Sequence, residues 1–122
     1  MNDATNGYIS QGRTFLTQAR EEFQRHDLRQ ASEQGWGAAA QMVKAAAVER
    51  GWEHDQHGRL YEGARRLTQE VDDPELRIHF GLAGELHANC YEGFMDRYDV
   101  ELHLDYVERF VDQVETILHN GT

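Results

Sequence analysis

The chain of 122 residues is long enough for one domain, and its length argues against two. Its 22 Asp and Glu residues outnumber 12 Lys and Arg residues, and the net charge of −10 argues against double-stranded DNA as a partner, because such a field repels phosphate backbones. No apolar run approaches the roughly 20 residues of a membrane span, and the first residues are polar, so we expect neither a membrane span nor a signal peptide. Cys90 is the only cysteine, so we expect no internal disulfide and place the protein in the cytoplasm.

Two long helices are predicted for the first half of the chain. Apolar residues recur there at three- and four-residue steps, which predicts a helix from about Asp3 or Thr5 to about Arg25. Asp27 can cap a second helix, which would extend from Leu28 to Arg50 and stop at Gly51.

The buried face predicted for this second helix is made of unusually small residues. Gly35 and Gly37 flank Trp36, and each glycine costs about 1 kcal/mol relative to alanine inside a helix. Such a cost is tolerable where a neighbouring backbone comes very close, so we expect another helix to approach here. The predicted buried face comprises Ala31, Gly35, Ala38, Ala39, Met42 and Ala46.

Two further helices are predicted after a loop at residues 52–58, WEHDQHG. The third helix would extend from about Arg59 to Val71. Asp72 or Asp73 can cap the fourth helix, whose first position suits Pro74. The predicted buried stripe of this fourth helix comprises Leu76, Phe80, Ala83, His87, Cys90 and Phe94.

The last predicted helix begins after Asp99 as its cap and carries two apolar stripes. One stripe runs from Val100 to Leu118, and a second comprises Tyr106, Phe110 and Ile117. Two stripes indicate that the helix is covered from two sides, either by a second subunit or by a wide contact within the chain. No segment alternates with a period of two, so we predict one all-α domain over residues 1–122, a compact up-and-down bundle of about five helices.

Candidate chemistry lies in the histidines, of which there are seven. His54 and His57 stand three residues apart in the predicted loop, beside Asp55. Two imidazoles and a carboxylate can hold zinc with one position open for water, although three such groups also occur together by chance in a polar loop. We therefore assign no metal or cofactor from the sequence.

His87 is the most informative single residue, because its place on the predicted stripe directs its ring toward the interior. A buried imidazole needs hydrogen-bond partners. It is either a core histidine bonded to another helix, or a ligand-contacting or acid–base residue in a pocket between helices.

Two segments resemble the PaREP-type family, a group of small helical proteins in the HEPN superfamily of nucleotide-binding domains. They are ASEQGWGAAAQMVKAAAVERGWEHDQHGRL and DPELRIHFGLAGELHANCYE, and GWGAAA, RGWxHxxH and LHxNxYE are their most specific parts. The resemblance implies a compact bundle of about five helices that is often dimeric. It also implies RNA-related functions, since many HEPN relatives are ribonucleases, toxins or RNA-binding partners.

Active members of that superfamily carry an arginine followed by a histidine after four to six residues. Three pairs in this chain satisfy the spacing, namely Arg20/His26, Arg50/His57 and Arg97/His103. Arg50 and His57 span a helix end and a loop, where both could converge on a phosphodiester, the arginine stabilising charge and the histidine moving a proton.

Three functions follow as hypotheses. The first is a HEPN-like homodimer that binds a nucleotide, RNA or a small ligand without catalysis. The second is a metal-independent ribonuclease or toxin that uses Arg50, His57 and His87. The third is a protein-interaction module whose acidic last helix is the docking face. The residues predicted to bind the ligand of the first are Trp36, His54, His57, His87, Asn89 and Tyr91.

Overall fold

Five helices make up most of the computed structural model, which describes residues 1–120. No strand occurs in that range, so the predicted all-α bundle of about five helices is confirmed. None of these helices combines the length and the apolarity that a membrane crossing requires. The helices are α1 Asp3–Gln24, α2 Leu28–Arg50, α3 His57–Val71, α4 Pro74–Glu92 and α5 Arg97–His119.

The predicted helix boundaries are confirmed for α1, α2 and α4 and are displaced for α3 and α5. Helix α3 begins at His57, two residues before the predicted Arg59. Helix α5 begins at Arg97, because the side chain of Asp96 accepts the amide of Asp99 while the side chain of Asp99 accepts the amide of Asp96. Asp99 is thus the third residue of a reciprocal capping box and not the cap itself.

Helices α1 and α5 run antiparallel and are joined by ion pairs. Arg13 contacts Glu115, whereas Arg20, two turns later on α1, contacts Asp105, which lies earlier on α5. The Arg13 pair is 2.6 Å long and the Arg20 pair 2.9 Å. In a strictly alternating bundle of five helices the first and the last would run parallel, so the antiparallel course of α1 and α5 shows that the alternation breaks between them.

Helix α3 departs from that alternation, because it runs alongside α2 in the same direction. The connecting residues 51–56 turn back along α2 and do not simply reverse the chain. A stretch of this length can cover several helical turns when extended, at about 3.3–3.6 Å per residue. The contacts that establish the parallel course are Trp36 with His57, Val43 with Gly63, and Arg50 with Glu70.

The small face of α2 admits both a backbone and large side chains. A Cβ atom at Gly12 of α1 would lie 3.2 Å from the Ala38 carbonyl oxygen, so the backbones of α1 and α2 approach closely at that point. At Gly35 the space is filled differently. A Cβ there would lie 2.7 Å from Leu104 Cδ2 and 3.0 Å from Leu86 Cδ1. The expected close approach therefore occurs at Ala38, directly after the Gly-Trp-Gly segment, whose own glycines receive side chains.

The buried face of α4 is rotated relative to the predicted stripe. His87 and Cys90 are only half-buried, and Phe94 lies beyond the helix end with 59% of its surface exposed. Helix α4 packs against α2, α3 and α5, so apolar residues occur around most of its circumference and the periodicity is ambiguous. The buried positions are Leu76, His79, Phe80, Ala83, Leu86 and Asn89.

The second stripe of α5 is covered by the chain itself. Phe110 is fully buried, and Tyr106 and Ile117 are half-buried. Helix α5 contacts α1, α2 and α4. A wide intramolecular contact thus accounts for the two stripes.

Candidate ligand-binding crevice

An open cavity of about 670 Å³ lies between α1, α2 and the beginning of α3. We call it the crevice. Trp36 and Leu60 contribute apolar surface to its wall. Its polar and ionisable lining residues are Tyr8, Gln41, Lys44, His54, Asp55, Gln56 and His57.

The returning loop places two of the histidines in this wall. The amide of Trp52 donates to the Ala47 carbonyl at 2.8 Å, which holds the start of the loop on the last turn of α2. The Nδ1 atom of His54 lies 3.3 Å from the Trp52 carbonyl oxygen. Because a carbonyl can only accept, Nδ1 is the donor in this contact and Nε2 remains available as an acceptor. The edge of His54 also meets the ring of Tyr8, at 5.9 Å between centroids.

Trp36 is the centre of the aromatic cluster beside the crevice. Only 8% of its surface is exposed. Its ring centroid lies 5.3 Å from that of His57, 5.0 Å from that of His87 and 5.4 Å from that of Phe80. The rings of His57 and His87 are also in contact, with centroids 4.9 Å apart in an edge-to-face arrangement. The cluster thus joins α2, α3 and α4 directly behind the crevice.

His87 is the residue of this cluster whose polar atoms are least satisfied. Its Nδ1 atom is buried and has no hydrogen-bond partner within residues 1–120. Burial lowers the pKa of His87, and the neighbouring His57 adds to that effect, while the carboxylate of Glu33 opposes it. The neutral imidazole is therefore favoured, and a neutral ring can accept or donate a proton.

The crevice is less acidic than the protein as a whole. Lys44 is the only lysine of the chain, and it lies in the crevice wall. It forms no ion pair with any described residue. Asp55 is the single carboxylate of the lining. A protein of net charge −10 thus presents an unpaired cation and two imidazoles on one aromatic-lined surface.

The structure brings most of the predicted ligand-binding residues together. His54 and His57 line the crevice with Trp36, and His87 touches both Trp36 and His57. Tyr91 is 72% exposed and lies against His87, with 5.4 Å between ring centroids.

Asn89 lies apart from the crevice in a buried network. Its Nδ2 atom donates to Ser32 Oγ at 2.9 Å, and its Oδ1 atom accepts the amide of Met95 at 2.7 Å. Only 1% of its surface is exposed. Since both ends of the amide are engaged within the fold, the residue joins α2 to the turn after α4.

The structure does not bring Arg50 and His57 together. The guanidinium of Arg50 binds Glu70, with an Nη2–Oε2 distance of 2.6 Å. Glu70 lies in the last turn of α3 and His57 begins that helix, so the two ends are about 20 Å apart at ~1.5 Å rise per residue. Arg50 and His57 satisfy the sequence spacing of the arginine–histidine signature, but Arg50 forms its ion pair with a carboxylate on another helix.

The two other arginine–histidine pairs are also separated. Arg20 binds Asp105 and Glu108 on α5. Arg97 contacts His26 and not His103, which instead lies 2.7 Å from Glu85. These interactions place none of the three signature pairs on a common ligand.

A three-ligand metal site is absent from the described part of the chain. No three His, Cys, Asp or Glu side chains within residues 1–120 form a group that could hold a metal ion. His54, His57 and Asp55 share the crevice wall without converging as a ligand set.

Sequence reasoning missed Tyr8, Gln41 and Lys44, which complete the crevice. Gln41 and Lys44 lie on the same face of α2 as Gly37 and interrupt an alanine-rich stretch. The available signal was this pair of polar residues, three apart on a helix whose other side chains are mostly small and buried.

The chain has relatives among known families and solved structures. The model of the archaeal PaREP1/PaREP8 family matches residues 8–111. A crystal structure of a protein from Sulfolobus solfataricus is similar, with a TM-score of 0.78 and 18% sequence identity, over 88% of this chain and 96% of that one. At such low identity the similarity concerns the fold alone. No curated protein matches the chain.

Proposed function

The chain belongs to the archaeal PaREP1/PaREP8 family, and we propose that its crevice binds a nucleotide. One observation carries the proposal: the only lysine of an acidic chain lies unpaired in a cavity lined by aromatic and imidazole rings. A nucleotide combines an anionic phosphate, which a lysine can bind, with an aromatic base, which can stack on the rings of this wall.

The crevice offers a separate contact for each part of a nucleotide. The base would stack against the rings of Tyr8 or His54, since aromatic stacking on a base contributes about 1–3 kcal/mol. The phosphate would be bound by the ammonium of Lys44, aided by the His57 ring. The cavity volume of about 670 Å³ lies within the range of small-molecule sites, roughly 300–1,000 Å³.

Isothermal titration calorimetry with AMP and with GMP tests this proposal. We expect Lys44→Met, which keeps the apolar stem, to weaken binding by about tenfold, the equivalent of ~1.4 kcal/mol. Arg65→Met is the matched control, because it removes a positive charge from an exposed position outside the crevice. Equal losses in both variants, or no saturable binding to the unmodified protein, would contradict the proposal.

A second candidate function is metal-independent RNA cleavage on a HEPN-like bundle. The observation in its favour is the direct contact between His57 and His87. Burial lowers the pKa of His87, so its neutral ring can take up a proton directly beside the exposed ring of His57. Lys44, rather than Arg50, would then stabilise the charge on the phosphate.

Cleavage of a labelled single-stranded RNA distinguishes catalysis from binding. We expect a bell-shaped pH profile if both imidazoles act, and loss of turnover in His57→Ala and in His87→Ala. His119→Ala is the control, because His119 is exposed at the end of α5 and lies outside the crevice. Turnover that is unchanged in both test variants would remove this pair from any mechanism.

The proposed functional form of the protein is a homodimer. Its support is a set of exposed apolar residues around the α4–α5 turn. Tyr98 and Leu102 lie one turn apart on α5 and are 70% and 39% exposed, and Phe94 in the preceding turn is 59% exposed. Exposed apolar surface of this kind marks interaction sites.

Light scattering coupled to size-exclusion chromatography tests this proposal. We expect Tyr98→Ser combined with Leu102→Ser to give a monomer. Ile78→Ser is the control, since Ile78 is 59% exposed on α4 and lies outside this set. A monomeric unmodified protein, or a dimer that survives the double substitution, would contradict the assignment.

A further inference from the structure

A second cavity, of about 460 Å³, lies at the turn between α1 and α2. Its lining differs from that of the crevice, with which it shares no residue. Arg25, His26 and Arg29 form one wall. The opposite wall comes from the turn between α4 and α5, where Gly93 and Met95 lie. We call this the turn pocket.

The tautomer of His26 is set by a neighbouring arginine. Nη1 of Arg97 lies 3.0 Å from Nδ1 of His26 and donates to the Phe23 carbonyl at 2.9 Å. Because a guanidinium has donors only, Nδ1 of His26 is the acceptor and Nε2 carries the proton. His26 thus has an N–H donor left free by this contact.

The backbone of His26 has a conformation that side chains rarely adopt. Its φ angle is +66°, in the left-handed region that favours glycine. Strained positions of this kind cluster at functional sites. A glycine here would satisfy the turn without strain, so the side chain itself needs an explanation.

Gly93 permits the guanidinium of Arg29 to lie directly on the backbone. A Cβ at Gly93 would lie 2.7 Å from Arg29 Nε and 2.9 Å from Arg29 Cζ. The absence of that atom lets Arg29 pack against the α4–α5 turn, at the rim of the pocket.

The lining of the turn pocket holds two arginines and a single carboxylate. Arg29 forms no ion pair with the described residues, and Arg25 pairs only with Glu22 on its own helix, at 3.1 Å and with 67% of the Arg25 side chain exposed. Asp27 is the single acid of the lining, and its side chain accepts the Gln30 amide at 3.1 Å. Other arginines of this chain bind carboxylates closely; examples are Arg13, Arg20 and Arg50.

We propose that the turn pocket binds a phosphoryl group, with the guanidinium groups of Arg25 and Arg29 and the Nε2–H of His26 as its donors. Guanidinium forks match the oxygen geometry of phosphate and bind it in a bidentate manner. The group would belong to a phosphorylated small molecule or to a phosphodiester. This site is independent of the crevice.

Titration of ¹⁵N-labelled protein with inorganic pyrophosphate, followed by NMR, tests the site. The expected result is saturable shifts of the amides at residues 25–29 and 93–95. Arg29→Ala should weaken binding at least about fivefold, as loss of a charge-assisted hydrogen bond requires. His26→Gly should also weaken it while keeping the fold, because glycine suits the left-handed backbone.

Two controls separate this site from general charge attraction and from the crevice. Arg65→Ala makes the same change in net charge outside the pocket and should leave binding unchanged. The amide shifts separate the two cavities, because binding in the crevice would move the amides of residues 54–57 and not those of residues 25–29. Equal weakening by Arg29→Ala and Arg65→Ala would overturn the proposal. Binding of citrate as tight as that of pyrophosphate would overturn the assignment to phosphoryl groups.

A single-stranded oligonucleotide then identifies the source of the phosphate. Tighter binding of the oligonucleotide than of pyrophosphate, lost in Arg29→Ala, would assign a phosphodiester. The reverse order would assign a phosphorylated small molecule.

Discussion

The three imidazoles near the crevice have different surroundings, and the surroundings determine what each can do. His54 donates to a backbone carbonyl, His57 is exposed at the first turn of α3, and His87 is half-buried with an Nδ1 atom that no described residue partners. That these three histidines lie close together could be predicted from the motifs that contain them. The participation of Lys44 was not predictable, because it depends on the path of a loop that follows Lys44 in the sequence.

Stability should depend on the protonation of His87. Its pKa is lowered in the folded state from the ordinary value of 6.5, so the unfolded chain binds the proton more readily. Stability is therefore expected to fall as the pH drops through 6.5 and to level off below the folded pKa. His87→Gln should remove this part of the slope. Thermal unfolding from about pH 7.5 to about pH 5 measures it, and an identical slope in both proteins would contradict the assignment.

The helices were easier to predict than their contacts. Helix α2 begins after Asp27 and ends before Gly51, as the sequence indicated, because capping residues act on neighbouring backbone groups. The partner of Arg50 lies on another helix at Glu70, and the course of α3 depends on how a six-residue connection folds back. Such long-range features are not encoded in local spacing, so sequence reasoning placed Arg50 wrongly beside His57.

Two glycines in helices should respond to alanine in opposite directions. A Cβ atom added at Gly7 on α1 would meet nothing within 4 Å, so Gly7→Ala should stabilise the protein by about 1 kcal/mol through helix propensity. Gly35→Ala would place a methyl group against Leu104 and Leu86, and overpacking should destabilise by about 1–3 kcal/mol. Urea denaturation of both variants measures the difference. A stabilised Gly35→Ala protein would show that the core around α2 is loose.

At the scale of the whole molecule, part of the acidic face of α5 is already occupied. Arg13 and Arg20 of α1 bind four of its carboxylates. This reduces the surface that a docking partner could use and weakens the support for a protein-interaction module built on that face. The carboxylates in question are Asp105, Glu108, Asp112 and Glu115.

The pairing of α1 with α5 should be sensitive to salt. Arg20→Gln removes two contacts of 2.9 Å and should lower the free energy of unfolding by about 0.5–1 kcal/mol at low ionic strength. The difference should shrink at about 1 M NaCl, where charges are screened over ~3 Å. Arg65→Gln serves as the control for net charge. A loss that is equal for both variants would assign the effect to overall charge and not to the pairs.

The small buried side chains of α2 limit which substitutions the protein can tolerate. This helix contacts all four others, yet most of its buried residues are alanine or glycine, whereas the buried residues of α5 are valine, leucine and phenylalanine. At these alanine and glycine positions a shorter side chain can hardly do harm, and a longer one can hardly be accommodated. In a library of all single substitutions, larger side chains should therefore be the most harmful changes at the buried positions of α2. Smaller side chains should be the most harmful changes at the buried positions of α5.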